Sequence, residues 1–205
     1  RVLQENFPET GERAPEILAH HLTEAEATGD AVAYWRKAGH RATERSANAE
    51  AVSHFEKGLE LLRSIPAAPD RDKIEISLLM AMGVSLIAAR GYADPQVART
   101  YEQARRLCEQ QGNLLELSRV LSGLWIFHNA VRDGQISLSD LTDEFLKLGQ
   151  RSNDPVINTQ AHFTAAMNLF YLGRFSHALE HMDQGIRDYS RPSTIGSPRA
   201  SIPTI

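Results

Sequence analysis

Two pairs of side chains in this sequence have a spacing that suits metal binding. His20 and Glu24 are four residues apart, as are His177 and His181, so the members of each pair would share one face of a helix. A protein metal site needs three or four ligands, and neither pair has a third candidate nearby. We therefore expect no metal site and no cofactor.

The nucleophilic side chains lack the partners that catalysis requires. Cys108 is the single cysteine, so the chain has neither an internal disulfide nor a resolving thiol, and we expect this residue to be buried as a small apolar side chain. Gly83-Val-Ser85 does not complete a G-x-S-x-G elbow, and Ser85 falls inside a predicted helix. No G-x-x-x-x-G-K-[ST] loop is present to hold nucleotide phosphates. We predict that this segment is not an enzyme.

The charges favour neither nucleic acid nor membrane as a partner. Lys37, Arg41 and Arg45 form a stripe at helical spacing, but Glu44 lies among them and the net charge of the 205 residues is −4. We interpret the stripe as a solvated helix face. No apolar run approaches the roughly 18 residues of a membrane-spanning helix. The expected compartment is the cytoplasm, which also suits a chain with one cysteine.

A repeat of small residues indicates the architecture that carries these side chains. Gly39, Gly83, Gly123 and Ala166 recur at spacings of 44, 40 and 43 residues, each inside an apolar stretch with helical period. A fixed period of this kind is typical of stacked helical hairpins, in which small residues allow neighbouring helices to approach closely. We therefore predict an all-α array of antiparallel hairpins with about nine helices and no strand.

Composition divides the chain into three segments. Residues 1–14 read as the end of a preceding helix or a linker, and residues 15–189 as the helical repeat domain. Residues 190–205 are rich in proline and serine and predict an extended tail, because three prolines forbid a continuous helix. We also expect the chain to be a segment of a longer polypeptide, since it begins at Arg1 without a methionine.

Several helix boundaries carry local signals. Asp94-Pro95 and Asp154-Pro155 each place an acidic N-cap before a proline at the first helical position. Similar signals predict a first helix that extends to Gly29, a second that begins at Asp30, a third that begins near Asn48, and further helices over about 73–90, 95–111, 114–132, 138–151, 155–172 and 175–189.

The repeat motifs resemble the tetratricopeptide repeat. Trp35-x2-Ala38-Gly39 in one repeat and Gly173-x-Phe175-x2-Ala178 in another follow its pattern of large, small and aromatic residues. The resemblance implies pairs of antiparallel helices arranged as a superhelix. Repeats of 40–44 residues are similar to the long variety found in signalling ATPases.

Longer phrases resemble a narrower group of bacterial proteins. The stretches at 16–25, 33–39 and 89–95 are similar to the repeat region of proteins that join a class III adenylate or guanylate cyclase domain to an ATPase. The resemblance implies a scaffolding or regulatory module for signal transduction, with the catalytic domains upstream.

The same resemblance implies a partner groove lined by the first helix of each hairpin. Its partner would be a protein or peptide segment, or another domain of the same polypeptide. A small-molecule sensor that controls an upstream ATPase is the alternative function, and burial of the groove against the next hairpin is the alternative structure. The candidate lining residues are mostly apolar: Arg36, His40, Met80, Val84, Leu124, Phe127, Phe163, Met167 and Phe170.

The tail suggests a second contact. Ile195, Ile202 and Ile205 are spaced along it, and the last hairpin should leave an apolar face uncovered. We predict that residues 193–205 dock on that face or on the groove of Phe163, Met167 and Phe170, within one molecule or between two molecules as a homo-oligomer.

Overall fold

The computed structural model describes residues 13–66, 68–131 and 138–190, and all regular secondary structure in these ranges is α-helical. This confirms the predicted all-α class. The predicted helix end or linker at 1–14 lies outside the described residues except for residues 13 and 14. The predicted tail at 190–205 and its contact lie outside them except for Ser190. Nine helices are described, with these bounds: α1 Pro15–Glu24, α2 Thr28–Glu44, α3 Asn48–Leu62, α4 Pro69–Arg90, α5 Pro95–Gln111, α6 Leu114–Val131, α7 Leu138–Ser152, α8 Pro155–Tyr171 and α9 Phe175–Tyr189.

The chain forms two compact units, Arg1–Arg132 and Asp133–Ile205. In the first, each of the helices α1 to α5 packs against the next one, and α4 also contacts α2 and α6. In the second, α8 packs against both α7 and α9. The predicted repeat domain, 15–189, spans both units. None of the described helices combines the length and apolar character that crossing a membrane requires.

The repeat glycines lie where helices touch, which confirms their predicted role. A Cβ atom added at Gly39 would overlap the Phe55 ring of α3. Tyr101 of α5 packs between two glycines: a Cβ atom at Gly83 of α4 would lie 2.7 Å from Tyr101 Cζ, and one at Gly123 of α6 would lie 2.5 Å from the same atom. Each ring therefore occupies the space that a side chain at the glycine would need.

Four hairpin turns share one hydrogen-bonding pattern, in which an amide after the helix bonds a carbonyl five residues earlier, as in a Schellman motif. The bonds run from Ala27 N to Leu22 O, Ala47 N to Ala42 O, Asn113 N to Cys108 O and Arg174 N to Leu169 O, at 2.9 to 3.0 Å. The preceding residue has a positive φ in every case: Glu26 (56°), Ser46 (60°), Gly112 (67°) and Gly173 (73°).

The helix starts were predicted correctly wherever an acid precedes a proline. Asp94 accepts a hydrogen bond from the Gln96 amide at 2.7 Å, and Asp154 accepts one from the Val156 amide at 2.8 Å. The predicted start at Asp30 was wrong, because α2 begins at Thr28 and Gly29 lies inside it rather than ending α1. The predicted start at residue 73 was late, since α4 begins at Pro69.

Candidate functional site

Three of the predicted groove residues lie together in an open cleft of about 540 Å³ in the first unit. His40 comes from α2, and Met80 and Val84 come from α4, one helical turn apart. Val84 is 55% exposed, so its side chain is available to a ligand. We call this cleft the α2–α4–α6 groove after the helices that line it, and its lining residues are His40, Lys73, Ile76, Ser77, Met80, Ala81, Val84, Asn113, Glu116 and Arg119.

Polar groups surround this apolar floor. Lys73 Nζ lies 2.9 Å from Asp70 Oδ1, and Arg119 Nη1 lies 2.8 Å from Glu116 Oε1. Two cations and one carboxylate therefore line the groove itself, with the second carboxylate just outside it. Each cation is thus paired with a carboxylate beside the apolar floor.

Leu124 and Phe127, which the sequence placed in the same groove, are buried at 1% and 7% exposure. They contribute to packing and are not open to a ligand. Arg36 is half-buried and does not line the cleft. The predicted open groove is therefore wrong at Leu124 and Phe127.

The predicted residues of the second unit do not share one cleft. Phe163 lines a cleft of about 260 Å³ between α8 and α9. Phe170 instead packs edge-on against Phe175, with ring centroids 5.5 Å apart, and Met167 is half-buried. Phe163 and Phe170 are both exposed.

Two of the histidines, His181 and His54, each pack against a ring of the preceding helix. His181 Nδ1 lies 2.9 Å from His162 Nδ1, whereas its predicted partner His177 is exposed. His54 stacks on Trp35, with ring centroids 5.4 Å apart. No group of three or more metal-ligating side chains occurs among the described residues.

Burial, reinforced by the adjacent His181, lowers the pKa of His162, while the nearby Asp188 acts in the opposite direction. The short distance between the two Nδ1 atoms requires one ring to donate and the other to accept. Protonation of His162 at Nδ1 would leave that atom unable to accept a hydrogen bond, which agrees with the lowered pKa of this ring.

Cys108 and Ser85 take structural roles, as the sequence predicted. Burial, with Glu116 and Glu109 nearby, raises the pKa of the Cys108 thiol to about 11, so the reactive thiolate is scarce at neutral pH. Ser85 is buried inside α4, and its hydroxyl lies 3.1 Å from the Thr43 hydroxyl of α2.

Sequence reasoning missed a second cleft, of about 710 Å³, lined by α1, α2 and α3. Trp35 lines it but is itself buried, donating from Nε1 to Thr23 Oγ1 at 3.0 Å, with Lys57 Nζ 4.4 Å from its ring centroid. His54 lines the same cleft, and its buried Nδ1 has no hydrogen-bond partner among the described residues. The one signal in the sequence is that His54 and His181 occupy equivalent places in two repeats, which indicates a packing or surface preference and not a cleft.

The sequence matches no family model and no curated protein sequence. The crystal structure of BtubC (BKLC) from P. vanneervenii is similar to this chain with a TM-score of 0.36 and 12% sequence identity. The similarity covers 93% of this chain and 70% of that one. A likeness this distant carries no argument about fold or function.

Proposed function

We propose that this chain is a non-catalytic protein-interaction module that binds a peptide or helical segment of another protein, or of another domain of the same polypeptide. The observation that carries the proposal is the α2–α4–α6 groove, where Met80 and Val84 form an accessible apolar surface beside Lys73 and Arg119. A ligand that buries one or two apolar side chains here and places an acidic group near the cations fits this arrangement.

The resemblance to cyclase–ATPase signalling proteins supports a regulatory setting for the module. In that setting the groove would bind a segment of the signalling protein or its regulator. The gene sequence upstream of these 205 residues tests this part, because the proposal requires it to encode a P-loop ATPase.

A small-molecule sensor is the second candidate function. A cleft of about 540 Å³ lies within the range of roughly 300–1,000 Å³ usual for small-molecule sites. His40, Lys73 and Asn113 would supply the polar contacts.

A selection from displayed random peptides on the whole chain tests the first proposal, followed by binding measurements on the enriched peptides. Val84→Glu should weaken binding at least tenfold, about 1.4 kcal/mol, because it places a carboxylate on the apolar floor. The control is Tyr92→Glu, which changes an equally exposed side chain of the same unit outside the groove and should leave affinity unchanged. Peptides that bind Val84→Glu as tightly as wild type would contradict the proposal, and small molecules that stabilise wild type but not Val84→Glu would favour the sensor.

A further inference from the structure

A small cleft with polar walls lies in the second unit, where α7 faces α8 and the turn that leads into α9. Its volume is about 290 Å³. Because a water takes about 30 Å³ of liquid volume, the cleft has room for a molecule of up to roughly ten non-hydrogen atoms. We call it the α7–α8 cleft, and the polar side chains that line it include Ser139, Asp143, Asn168, Arg174 and His181.

A buried amide at this cleft has unused hydrogen-bonding capacity. Asn168 of α8 is only 7% exposed, and its side chain makes one hydrogen bond among the described residues, from Nδ2 to Ser139 Oγ at 3.5 Å. That distance is long for a hydrogen bond. An asparagine side chain offers two donors and an acceptor, and leaving them unsatisfied in a buried position is unfavourable. A molecule in the cleft that offers both a donor and an acceptor would satisfy the Asn168 amide.

Two opposite charges line the same cleft without pairing. Asp143 belongs to α7, and Arg174 is the residue before the first turn of α9. Both side chains are exposed, and neither forms an ion pair with the other or with any other described residue. The carboxylate and the guanidinium are therefore available to a ligand that carries the opposite charges.

The turn that carries Arg174 does not require a charged side chain. The Arg174 amide donates to the Leu169 carbonyl at 2.9 Å, and in the turn between α2 and α3 the Ala47 amide donates to the Ala42 carbonyl at the same distance. Ala47 precedes α3 as Arg174 precedes α9. Because alanine serves the same backbone geometry, the fold of the turn does not explain the guanidinium.

The rest of the cleft is apolar and small. Leu146 of α7 and Leu169 of α8 line it and are half-buried, and the buried Ala165 of α8 lines it as well. Apolar walls with a few convergent polar groups are typical of small-molecule sites. With a volume of about 290 Å³, the cleft suits a ligand that has a short side chain beside its charged groups.

We propose that the α7–α8 cleft binds a free α-amino acid with a short side chain. Arg174 binds its carboxylate, because a guanidinium matches the two oxygens of a carboxylate, and Asp143 binds its ammonium group. The Asn168 amide bonds to the same polar groups. A simple acid or a simple amine would leave one of the two protein charges unpaired, whereas an amino acid pairs both. The cleft lies in the second unit, so the proposal does not depend on the α2–α4–α6 groove.

Isothermal titration calorimetry of the whole chain tests the site, with glycine, L-alanine, L-serine and L-valine as separate probes at up to about 10 mM. At least one of these amino acids should bind. The analogue that lacks its ammonium group and the analogue that lacks its carboxylate should each bind at least tenfold more weakly. For L-alanine these analogues are propanoate and ethylamine.

Two variants assign the roles of the charges. Arg174→Gln and Asp143→Asn should each weaken binding of the amino acid at least tenfold, with unchanged helical circular dichroism, because both side chains are exposed. Arg174→Gln should also lose the preference over the analogue without a carboxylate, and Asp143→Asn the preference over the analogue without an ammonium group. The controls are Arg151→Gln and Asp183→Asn, which make the same changes on exposed side chains of the same unit outside the cleft and should bind as wild type does.

Four results would overturn the proposal. The first is that none of the four amino acids binds, and the second is that an analogue with a single charge binds as tightly as the amino acid. The third is undiminished binding by Arg174→Gln or Asp143→Asn. The fourth is an equal loss of binding in the two control variants, because the effect would then not come from the cleft.

Discussion

The close contact of α2 with α3 can be tested by adding a single methyl group at Gly39. A Cβ atom there would lie only 2.6 Å from Cδ1 and Cζ of Phe55, whose ring is fully buried. Overpacking of this kind costs about 1–3 kcal/mol. Alanine also improves on glycine by about 0.8–1.0 kcal/mol inside a helix, which offsets part of the cost.

Gly58→Ala separates these two effects. It makes the same substitution inside a neighbouring helix, but its Cβ atom would meet Leu78 at 3.4 Å, an ordinary contact distance. The helix-propensity gain is common to both variants, so Gly39→Ala should be less stable than Gly58→Ala by roughly 1–3 kcal/mol. Gly29→Ala adds a control within α2 itself, since nothing lies within 4 Å of its Cβ position.

Denaturant unfolding followed by circular dichroism measures the difference in the free energy of unfolding. The difference follows from the unfolding midpoints when the variants share the same dependence of free energy on denaturant concentration. Phe55→Leu should recover part of the loss when it is combined with Gly39→Ala, since a smaller side chain vacates the position of the ring, and this coupling identifies the contact. Equal stability of Gly39→Ala and Gly58→Ala would refute the close packing of α2 on α3.

Three further predictions concern a turn, a helix start and a histidine pair. Ser46→Gly should raise the free energy of unfolding by up to about 1–2 kcal/mol, because Ser46 has a φ of 60° that glycine adopts without steric cost; a loss in the same denaturant assay would contradict this. Asp94→Ala should lower the free energy of unfolding by about 1 kcal/mol, because the hydrogen bond from the Gln96 amide is lost. Asp94→Ser should retain most of this stability, so equal losses in the two variants would exclude a capping role. Because the pKa of His162 is lowered in the folded state, its neutral ring favours folding above the unfolded pKa of about 6.5, and this contribution is lost as the pH falls below that value. Stability of wild type should therefore fall more steeply from pH 7 to pH 5 than that of His162→Gln, and parallel curves would refute this.

Local chemistry explains which parts of the fold could be predicted from the sequence. An acid before a proline fixes a helix start through the acidic side chain, which accepts a hydrogen bond from the first turn, so the starts of α5 and α8 were predicted to the residue. The turns at Glu26 and Ser46 could not be found in this way, because neither residue favours a positive φ. At these turns the hairpin geometry overrides the residue preference. The sequence therefore placed the boundary between α1 and α2 at Gly29 and Asp30, although the turn lies at Glu26 and α2 begins at Thr28.

The groove could be predicted only in part, because spacing assigns a residue to a helix face but does not say what packs on that face. Val84 and Leu124 occupy the same offset in two repeats, yet the first is 55% exposed and the second 1%. The same limit applies to α3 and α9, whose matching patterns differ in the structure because a helix covers the first and none of the described residues covers the second. An apolar heptad stripe therefore predicts that a helix packs there, and the exposure of Leu179 and Ile186 shows that no described helix does so on α9.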